Sequence, residues 1–357
     1  MWQSTHQPPA QFKPRFRTDV YPFIAPAKFR GALKDKVTII TGAAGAIGQS
    51  LAESFAVAGA KLVLTYNRTA PPPELKDRCL KLGAASVDFI KCNVAELEGC
   101  ESLVNQTISL HSHVDILINN AGANSLGPLH TLSPTSFLTS LSVNLTGPYF
   151  LMHLLLPHFR SSSSSSTSSS SSSSGGVSGG CILNISSRAG TVTIPYSTPY
   201  STSKAALISL TSCAQKEVDI DGLGDQIHMY SLHPGGIKST MTKSKYSEES
   251  VANLPEKVRK SYLEGFDEVY NDSPYLNGMV CVALATGIGK QVLRGRYVDV
   301  NQDLEDLLKQ GEALKSDPDL YTLHTSFLGG LKNAGVPEGG YKKEEGEEVV
   351  EFPGFEI

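Results

Sequence analysis

The sequence predicts a doubly wound α/β fold, in which helices cover both faces of a parallel sheet. Short apolar segments recur along the chain, and segments of helical length separate most of them; this alternation is typical of a parallel sheet. The first apolar segment, residues 37–40, has one polar residue, Thr38, as expected of a strand that is covered on both faces. After a glycine-rich turn, Ile47, Leu51 and Phe55 recur at helical spacing.

Six further strands are predicted, at residues 61–64, 86–90, 116–118, 182–185, 227–232 and 297–300. One domain over residues 36–302 accommodates all of them together with the helical segments between them. A chain of 357 residues could also hold two small domains, but single α/β domains commonly reach this size. We therefore predict a single domain with extensions at both ends.

Three segments at the chain ends lie outside that domain. Residues 1–35 are rich in Pro, Gln and Phe and show neither a helical nor a strand period, which predicts an extended leader. Residues 303–331 are predicted to form a helical extension with short helices at 303–308 and 317–331, and residues 332–357 to form a charged, flexible tail.

A serine- and glycine-rich insert interrupts the domain at residues 161–180. It has almost nothing apolar to bury, and this composition predicts disorder. The insert joins a helix to the strand at 182–185, whereas ligands of parallel α/β sheets bind at the opposite rim, beyond the carboxyl ends of the strands. We therefore expect the insert to be remote from the functional site.

Composition and charge argue against several classes of protein. The chain has 31 Lys and Arg residues against 35 Asp and Glu, a net charge of −4, which does not suit a nucleic-acid binder. No apolar run reaches the roughly 18 residues of a membrane span, and the N-terminus lacks a secretory signal. Six scattered cysteines without a C-x-x-C pair indicate reduced thiols. We expect a cytoplasmic protein that binds no metal, membrane or nucleic acid.

Two motifs follow predicted strands at the rim where ligands bind. Residues 41–48 read T-G-A-A-G-A-I-G between the first strand and the first helix, and glycines there allow a pyrophosphate to approach the helix N-terminus. Residues 119–122 read N-N-A-G after the fourth strand, where small residues leave room for a cofactor. Either motif alone is also compatible with an ordinary turn. The candidate dinucleotide-binding residues are Gly42, Ala46, Ile47, Gly48, Asn120, Ala121 and Gly122.

A third motif carries groups suited to proton transfer. Tyr200 and Lys204 are four residues apart, on one face of a predicted helix. A lysine cation beside a phenol favours the phenolate, so we expect the pKa of Tyr200 to be lowered toward the working pH. Ser187 follows the strand at 182–185 and could donate a hydrogen bond to a developing oxyanion. Tyr196 offers a second phenol, but no lysine stands four residues after it.

The order and spacing of these motifs resemble the short-chain dehydrogenase/reductase family over residues 36–302. The glycine turn, N-N-A-G, a serine 13 residues before Tyr-x-x-x-Lys, and H-P-G-G-I-K-S at 233–239 follow one another as they do in the family. The resemblance implies a Rossmann fold and an oxidoreductase that interconverts a ketone and a secondary alcohol with a nicotinamide cofactor. It also implies a homodimer or homotetramer.

The resemblance assigns roles to individual residues. Tyr200 would donate or accept the proton, and Lys204 would bind the nicotinamide ribose. Ser187 would position the substrate oxygen, and Asn144 would hold a water of the proton relay from its helix. Ala46 and Asn93 depart from the family, which usually has glycine and aspartate at these places. The remaining implied cofactor contacts are Asn93 and Val94 beside the adenine, and Pro234, Gly235, Ile237 and Ser239 beside the nicotinamide.

The end of the second strand indicates which nicotinamide is used. An acidic residue there would accept the ribose hydroxyls and repel a 2′-phosphate, but residues 66–69, Y-N-R-T, contain none. Asn67 and Arg68 are the candidate contacts, and a guanidinium forms charge-assisted hydrogen bonds with a phosphate. The sequence therefore favours NADP(H) over NAD(H).

Two alternative functions stay open. A catalytically silent member of the family could bind the nucleotide as a redox sensor, although such proteins typically lose the tyrosine or the lysine. A double-bond reductase is the other alternative, although such relatives space these two residues more widely. The sequence leaves the identity of the substrate open. We expect residues 244–275 to form a substrate lid. The leader and the C-terminal extension resemble a branch frequent in filamentous fungi, which suggests secondary metabolism.

Overall fold

Seven parallel strands form the central sheet of the computed structural model, which describes residues 13–164, 179–239, 251–264 and 270–325. The strands lie in the order β3-β2-β1-β4-β5-β6-β7, and each neighbouring pair is parallel. The predicted doubly wound α/β fold is therefore confirmed. The strands are β1 Val37–Ile40, β2 Lys61–Tyr66, β3 Ser86–Lys91, β4 Ile116–Asn119, β5 Gly180–Ile185, β6 Ile227–His233 and β7 Tyr297–Asp299.

Helices connect the strands and cover both faces of the sheet. All of these elements belong to one unit, Gln11–Leu323. In chain order the helices are α1 Pro26–Phe29, α2 Ala46–Val57, α3 Glu74–Leu82, α4 Leu97–His111, α5 Pro134–Leu141, α6 Gly147–Ser164, α7 Thr198–Ile220, α8 Glu256–Glu264, α9 Pro274–Ala285, α10 Lys290–Leu293, α11 Leu304–Lys309 and α12 Gly311–Ser316.

The sheet separates two hydrophobic cores. Successive side chains of a strand point to opposite faces, and β2 illustrates the alternation. Leu62 and Leu64 pack in a first core with α2 and α9, whereas Val63 packs in a second core with α4 and α6. Because both faces are covered, the central strands consist almost entirely of buried residues, and polar groups collect beyond their ends.

The described part of the leader packs on the first core. Tyr21, Ile24 and Phe29 are buried there. We predicted no regular structure in this segment, but it contains a 3₁₀ turn at Pro22–Ile24 and helix α1. Both elements are too short to leave a helical period in the sequence. An antiparallel bridge between Phe16 and Gln302 joins the leader to the chain after β7.

The C-terminal extension differs from the prediction in its second helix. Helix α11 lies where the first short helix was predicted, and the Asp303 side chain caps its N-terminus. The second helix, α12, ends at Ser316, and residues 317–325 contain no helix. The prediction of a helix over 317–331 is therefore wrong in its described part. Pro318 explains the end of α12, because the residue before a proline is disfavoured in helical conformation.

The connection from α6 to β5 enters the sheet at the amino end of β5. Helix α6 ends at Ser164 and β5 begins at Gly180, so the predicted disorder of the insert is wrong for residues 161–164 and for Gly180, which extend the flanking elements. Residues 165–178 of the insert lie outside the described residues, as do parts of the expected lid and the tail from residue 326. Within the described ranges, no helix is both long and apolar enough to cross a bilayer. In the same part of the chain, no three His, Cys, Asp or Glu side chains are grouped so that they could hold a metal.

Candidate active site

A cavity of about 480 Å³ lies beyond the carboxyl ends of β1, β2, β4 and β5. Gly235 and Ile237 lie in the loop after β6 but do not line it, and neither do Asn144 and Ser187. The cavity brings together the other predicted cofactor residues, which are Gly42, Ala46, Ile47, Gly48, Asn67, Arg68, Asn93, Val94, Asn120, Ala121, Gly122, Tyr200, Lys204, Pro234 and Ser239.

The lining also includes residues that the sequence did not single out. Thr139 and Val143 come from α5 and the turn after it, and Cys92 precedes the adenine candidates after β3. Ile185 ends β5, and Ser186 follows it directly before Ser187. A helical residue that lines a cavity has the same sequence pattern as any other partly apolar helical residue. Only the motifs next to these residues could have indicated that they line the cavity.

The glycine turn brings two backbone segments into close contact. Gly42 has a φ of 66°, and a Cβ atom there would lie 2.9 Å from the Cα atom of Ala121. A Cβ atom on Gly48 would lie 2.4 Å from the carbonyl oxygen of Gly42. The turn thus leads directly into the N-terminus of α2, where the unpaired N–H groups and the helix dipole favour an anion. This donor set suits the pyrophosphate of a dinucleotide.

Asn120 joins the ends of β1 and β4. Its backbone N–H donates to Oγ1 of Thr41 at 2.9 Å, and its Nδ2 donates to the carbonyl oxygen of Thr41 at 2.8 Å. The neighbouring Asn119 donates from Nδ2 to Oδ1 of Asn184 on β5, at 2.8 Å. The N-N-A-G segment therefore fixes the spacing of three adjacent strand ends that form the floor of the cavity.

Tyr200 and Lys204 lie one turn apart in α7 and both line the cavity. Nζ of Lys204 lies 5.6 Å from the centre of the Tyr200 ring and donates to the carbonyl oxygen of Ile185 at 2.7 Å. The side chains of Ser187 and Tyr200 share a hydrogen bond. Oγ of Ser187 also accepts from the backbone N–H of Ala189 at 3.1 Å. The hydroxyl groups of Ser187 and Tyr200 therefore lie together beside a buried cation.

Burial dominates the acidity of this pair. It raises the pKa of Tyr200 to about 12, and the hydrogen bond with Ser187 offsets only part of that effect. Burial also lowers the pKa of Lys204 to about 8. We expected Lys204 to lower the pKa of Tyr200. The pKa is raised instead, because loss of solvent outweighs the hydrogen bond with Ser187, the one contribution that lowers it.

Asn144 lies within a π-helical turn, Ser142–Thr146, between α5 and α6. Its side chain is fully buried. Oδ1 accepts from the backbone N–H of Ala123 at 2.8 Å, and Nδ2 donates to the carbonyl oxygen of Ala123 at 2.8 Å and to Oγ of Ser203 at 2.9 Å. The amide thus joins the segment after β4 to α7, one residue before Lys204.

Tyr196, the other candidate phenol, is placed differently. It does not line the cavity. Its φ of 66° lies in the left-handed region, and its carbonyl oxygen accepts from the backbone N–H of Gly127 at 2.9 Å. These contacts make Tyr196 part of the loop before α7, which supports the choice of Tyr200 as the phenol at the site.

The far end of the cavity carries polar side chains at the surface. Asn67 and Arg68 are exposed, and Nδ2 of Asn67 donates to Oδ1 of Asn93 at 3.2 Å. Nδ2 of Asn93 donates in turn to Oε1 of Glu96 at 2.7 Å. Among the described residues, Arg68 has neither a hydrogen bond nor an ion pair. Its guanidinium is therefore available to an anionic group in the cavity.

Known proteins match this chain in sequence. A model of the short chain dehydrogenase family matches residues 36–250. A short chain dehydrogenase of Pseudocercospora fijiensis is 27% identical over 301 residues, which cover 83% of this chain and 90% of the relative. The 11-beta-hydroxysteroid dehydrogenase 1A of Arabidopsis thaliana is 31% identical over 219 residues, which cover 61% of this chain and 57% of the relative. The match thus spans little more than half the length of the Arabidopsis protein.

Solved structures match the fold. A metagenomic short-chain oxidoreductase in complex with NADP has a TM-score of 0.53 at 23% identity, covering 71% of this chain and 92% of that one. The NADH-dependent reductase A1-R′ complexed with NAD has a TM-score of 0.59 at 19% identity, covering 77% of this chain and 98% of that one. Since the family model matches more than half of the residues, this chain belongs to the short chain dehydrogenase family, the oxidoreductases that act on CH–OH groups.

Proposed function

We propose that the protein interconverts a ketone and a secondary alcohol with NADP(H). The observation that carries the proposal is that Tyr200 and Lys204 line the cavity side by side, with Ser187 hydrogen-bonded to Tyr200. This arrangement has a hydroxyl pair that can hold one substrate oxygen and a cation beside the phenol. The relative named as a hydroxysteroid dehydrogenase supports an alcohol or ketone substrate.

Tyr200 acts as the general acid in ketone reduction. With a pKa near 12, its phenol carries a proton at neutral pH and donates it to the carbonyl oxygen as that oxygen gains negative charge. Ser187 donates a hydrogen bond to the same oxygen, which stabilises the charge before the proton arrives. Lys204 then lies beside a phenolate, and its positive charge stabilises that anion. In alcohol oxidation the same groups work in reverse.

The cavity residues fit a dinucleotide. The glycine turn and the N-terminus of α2 would hold the pyrophosphate, and Asn93 and Val94 would face the adenine. Lys204 would also hold the hydroxyls of the nicotinamide ribose, next to Pro234 and Ser239. When bound, the nicotinamide supplies the hydride in reduction and accepts it in oxidation.

Arg68 supports the choice of NADP(H). It is an exposed cation without a protein partner among the described residues, at the end of the strand where the adenine ribose is expected, and no acidic residue accompanies it in the segment 66–69. A 2′-phosphate would gain charge-assisted hydrogen bonds from the guanidinium. NAD(H) would gain no comparable contact.

The test is an assay of NADPH consumption with the full-length protein and a panel of ketones that includes steroid, cyclic and aryl ketones. We expect at least one ketone to be reduced, and the matching secondary alcohol to be oxidised with NADP⁺. Tight NADPH binding without turnover of any ketone or alcohol would contradict the proposal and would favour a nucleotide sensor.

A further inference from the structure

A buried asparagine outside the cavity joins three segments of the chain. Asn301 follows β7 and is fully buried. Both N–H groups of its amide donate, one to the carbonyl oxygen of Arg17 and one to Oδ2 of Asp272, each at 2.8 Å. Its Oδ1 accepts from Nη2 of Arg188 at 2.9 Å. The side chain thus meets the leader, the segment before α9 and the turn after β5 at one point.

The contact with Asp272 leads to the loop after β6. Oδ2 of Asp272 also accepts from the backbone N–H of Gly236 at 2.6 Å, and the backbone N–H of Asp272 donates to the carbonyl oxygen of Gly236 at 2.9 Å. Pro234 and Ser239 of this loop line the cavity at the end that holds Lys204. Asp272 therefore holds this loop in place through two hydrogen bonds with Gly236, and Asn301 fixes the orientation of the Asp272 carboxylate.

The contact with Arg188 leads to Ser187. Arg188 is the next residue, and its guanidinium binds both carboxylate oxygens of Asp299, at 2.7 and 3.1 Å, in addition to Asn301. Asp299 also accepts from the backbone N–H of Asn301 at 3.1 Å. A guanidinium held by three acceptors in a fork has little rotational freedom. The backbone of Ser187 is therefore tied to the end of β7.

The contact with Arg17 explains why the leader lies where it does. The carbonyl oxygen of Arg17 accepts from Asn301, and the backbone N–H of Arg17 donates to the carbonyl oxygen of Asn301 at 2.7 Å. Without the leader, one N–H of a fully buried amide would lose its acceptor, and an unpaired buried donor is costly. The leader thus completes the hydrogen bonding of Asn301.

We propose that Asn301 is a positioning residue for the nicotinamide end of the site: it holds the Ser187 turn and the 234–239 loop in a fixed relation, with the leader as its third support. This inference rests on the proposed function, because it assigns the loop and the turn to cofactor and substrate. It does not place Asn301 in contact with either of them.

The test compares the binding of two ligands to Asn301→Asp. Aspartate has nearly the same shape and keeps an oxygen for Arg188, but it places a second oxygen against Asp272 and against the carbonyl oxygen of Arg17. The loop should move, so we expect NADPH, which reaches the loop, to bind about tenfold more weakly, the loss of roughly one charge-assisted hydrogen bond. The fragment 2′,5′-ADP, which reaches only the adenine end, should bind as in the wild type. Calorimetric titration measures both.

Two further variants separate positioning from stability. Arg15→Gln removes the leader's bidentate ion pair with Asp306, at 2.8 Å for each bond, and leaves Asn301 untouched; it should lower the melting temperature without changing the ratio of the two affinities. Asp272→Ala removes the support of the loop from a partly exposed position, and should weaken NADPH binding selectively even if Asn301→Asp fails to fold.

The outcomes are distinct. An unchanged affinity ratio in a folded Asn301→Asp, or in Asp272→Ala, overturns the positioning role. Equal weakening of NADPH and 2′,5′-ADP overturns it as well, because that pattern indicates general destabilisation. If the wild-type protein binds neither ligand, the proposed function fails first and the inference fails with it.

Discussion

The two ends of the cavity differ in how firmly the protein holds their side chains. At the end that carries Tyr200, Lys204 is 3% exposed and donates to a strand end, and Asn144 is fully buried with its amide bonded to two segments. At the end that carries Arg68, the guanidinium is exposed and has no partner among the described residues. The side chains at the first end are held in place before any ligand binds, whereas the Arg68 side chain at the second, adjustable end can still change its conformation.

This difference separates chemistry from recognition. Groups that act on a developing charge are most effective when they need not reorganise during the reaction, so a rigid, desolvated end suits proton transfer. A flexible surface arginine gains its order only when a phosphate binds, and the affinity is reduced by the side-chain entropy that is lost. Substitutions at the first end should therefore affect turnover, whereas substitutions at the second should affect the choice of cofactor.

The strongest test of the rigid end is Tyr200→Phe. The substitution removes the phenolic proton and keeps the ring, so the fold and the cavity should survive. Loss of a general acid typically costs about 10²–10⁴-fold in rate, and we expect kcat for ketone reduction to fall by that range while NADPH affinity stays nearly constant. Steady-state kinetics and cofactor titration measure the two quantities.

Tyr196→Phe is the matched control, since it makes the same chemical change four residues earlier in the chain and outside the cavity. Its turnover should remain within about twofold of the wild type, because surface or loop substitutions of this kind have small effects. If this variant lost activity and Tyr200→Phe kept it, the assignment of the phenol would be wrong.

Lys204→Met should lower turnover by about 10²-fold and weaken NADPH binding, yet it should stabilise the fold at pH 7. Because the pKa of Lys204 is lowered to about 8 in the folded protein, carrying the charge below that pH costs stability, and the cost disappears as pH rises from about 8 toward 10.5. The gain at pH 7 should be on the order of 2 kcal/mol, after allowance for the lost hydrogen bond to Ile185.

Thermal unfolding of the wild type and Lys204→Met at pH 7 and pH 9 measures this effect. The difference in melting temperature should be larger at pH 7. In wild-type kinetics, ketone reduction should decline as pH rises through about 8, since the ammonium is lost there. If Lys204→Met were less stable than the wild type at both pH values, burial of the charged lysine would not cost the folded protein stability.

The adjustable end is tested by Arg68→Ala. We expect the preference for NADPH over NADH to fall about tenfold, the effect of one lost charge-assisted contact, with kcat at saturating cofactor nearly unchanged. Arg30→Ala, at an exposed arginine of the leader, is the control and should leave the preference as it is. Retention of the full preference in Arg68→Ala would mean that another group reads the phosphate.

The smallest effect is expected from deletion of residues 161–174. The connection that carries them enters β5 at its amino end, opposite the cavity, and each doubling of loop length costs only about 0.6 kcal/mol. Kinetic constants should stay within about twofold of the wild type. A deletion that abolished NADPH binding would show that the insert, contrary to expectation, takes part in the site.

Local features of this protein could be predicted from its sequence, whereas features assembled from distant parts of the chain could not. The apolar strands and the spacing of Tyr200 and Lys204 are short-range patterns, so the sheet and the face of α7 were predictable. The pKa of Tyr200 was not, because its direction depends on how completely the fold removes solvent. Asn301 left no signal at all, since its partners stand 29, 113 and 284 positions away in the chain.

The π-helical turn at Ser142–Thr146 sets the angular phase between α5 and α6. A deletion of one residue there would restore a regular α-helix and rotate α5 by about 100° relative to α6. Thr139 and Val143, which line the cavity, would then face another direction, and Asn144 would no longer meet Ala123. The number of residues in this segment therefore determines which side chains line the cavity. A relative could keep every sequence motif and still have a different cavity wall if this segment were one residue shorter.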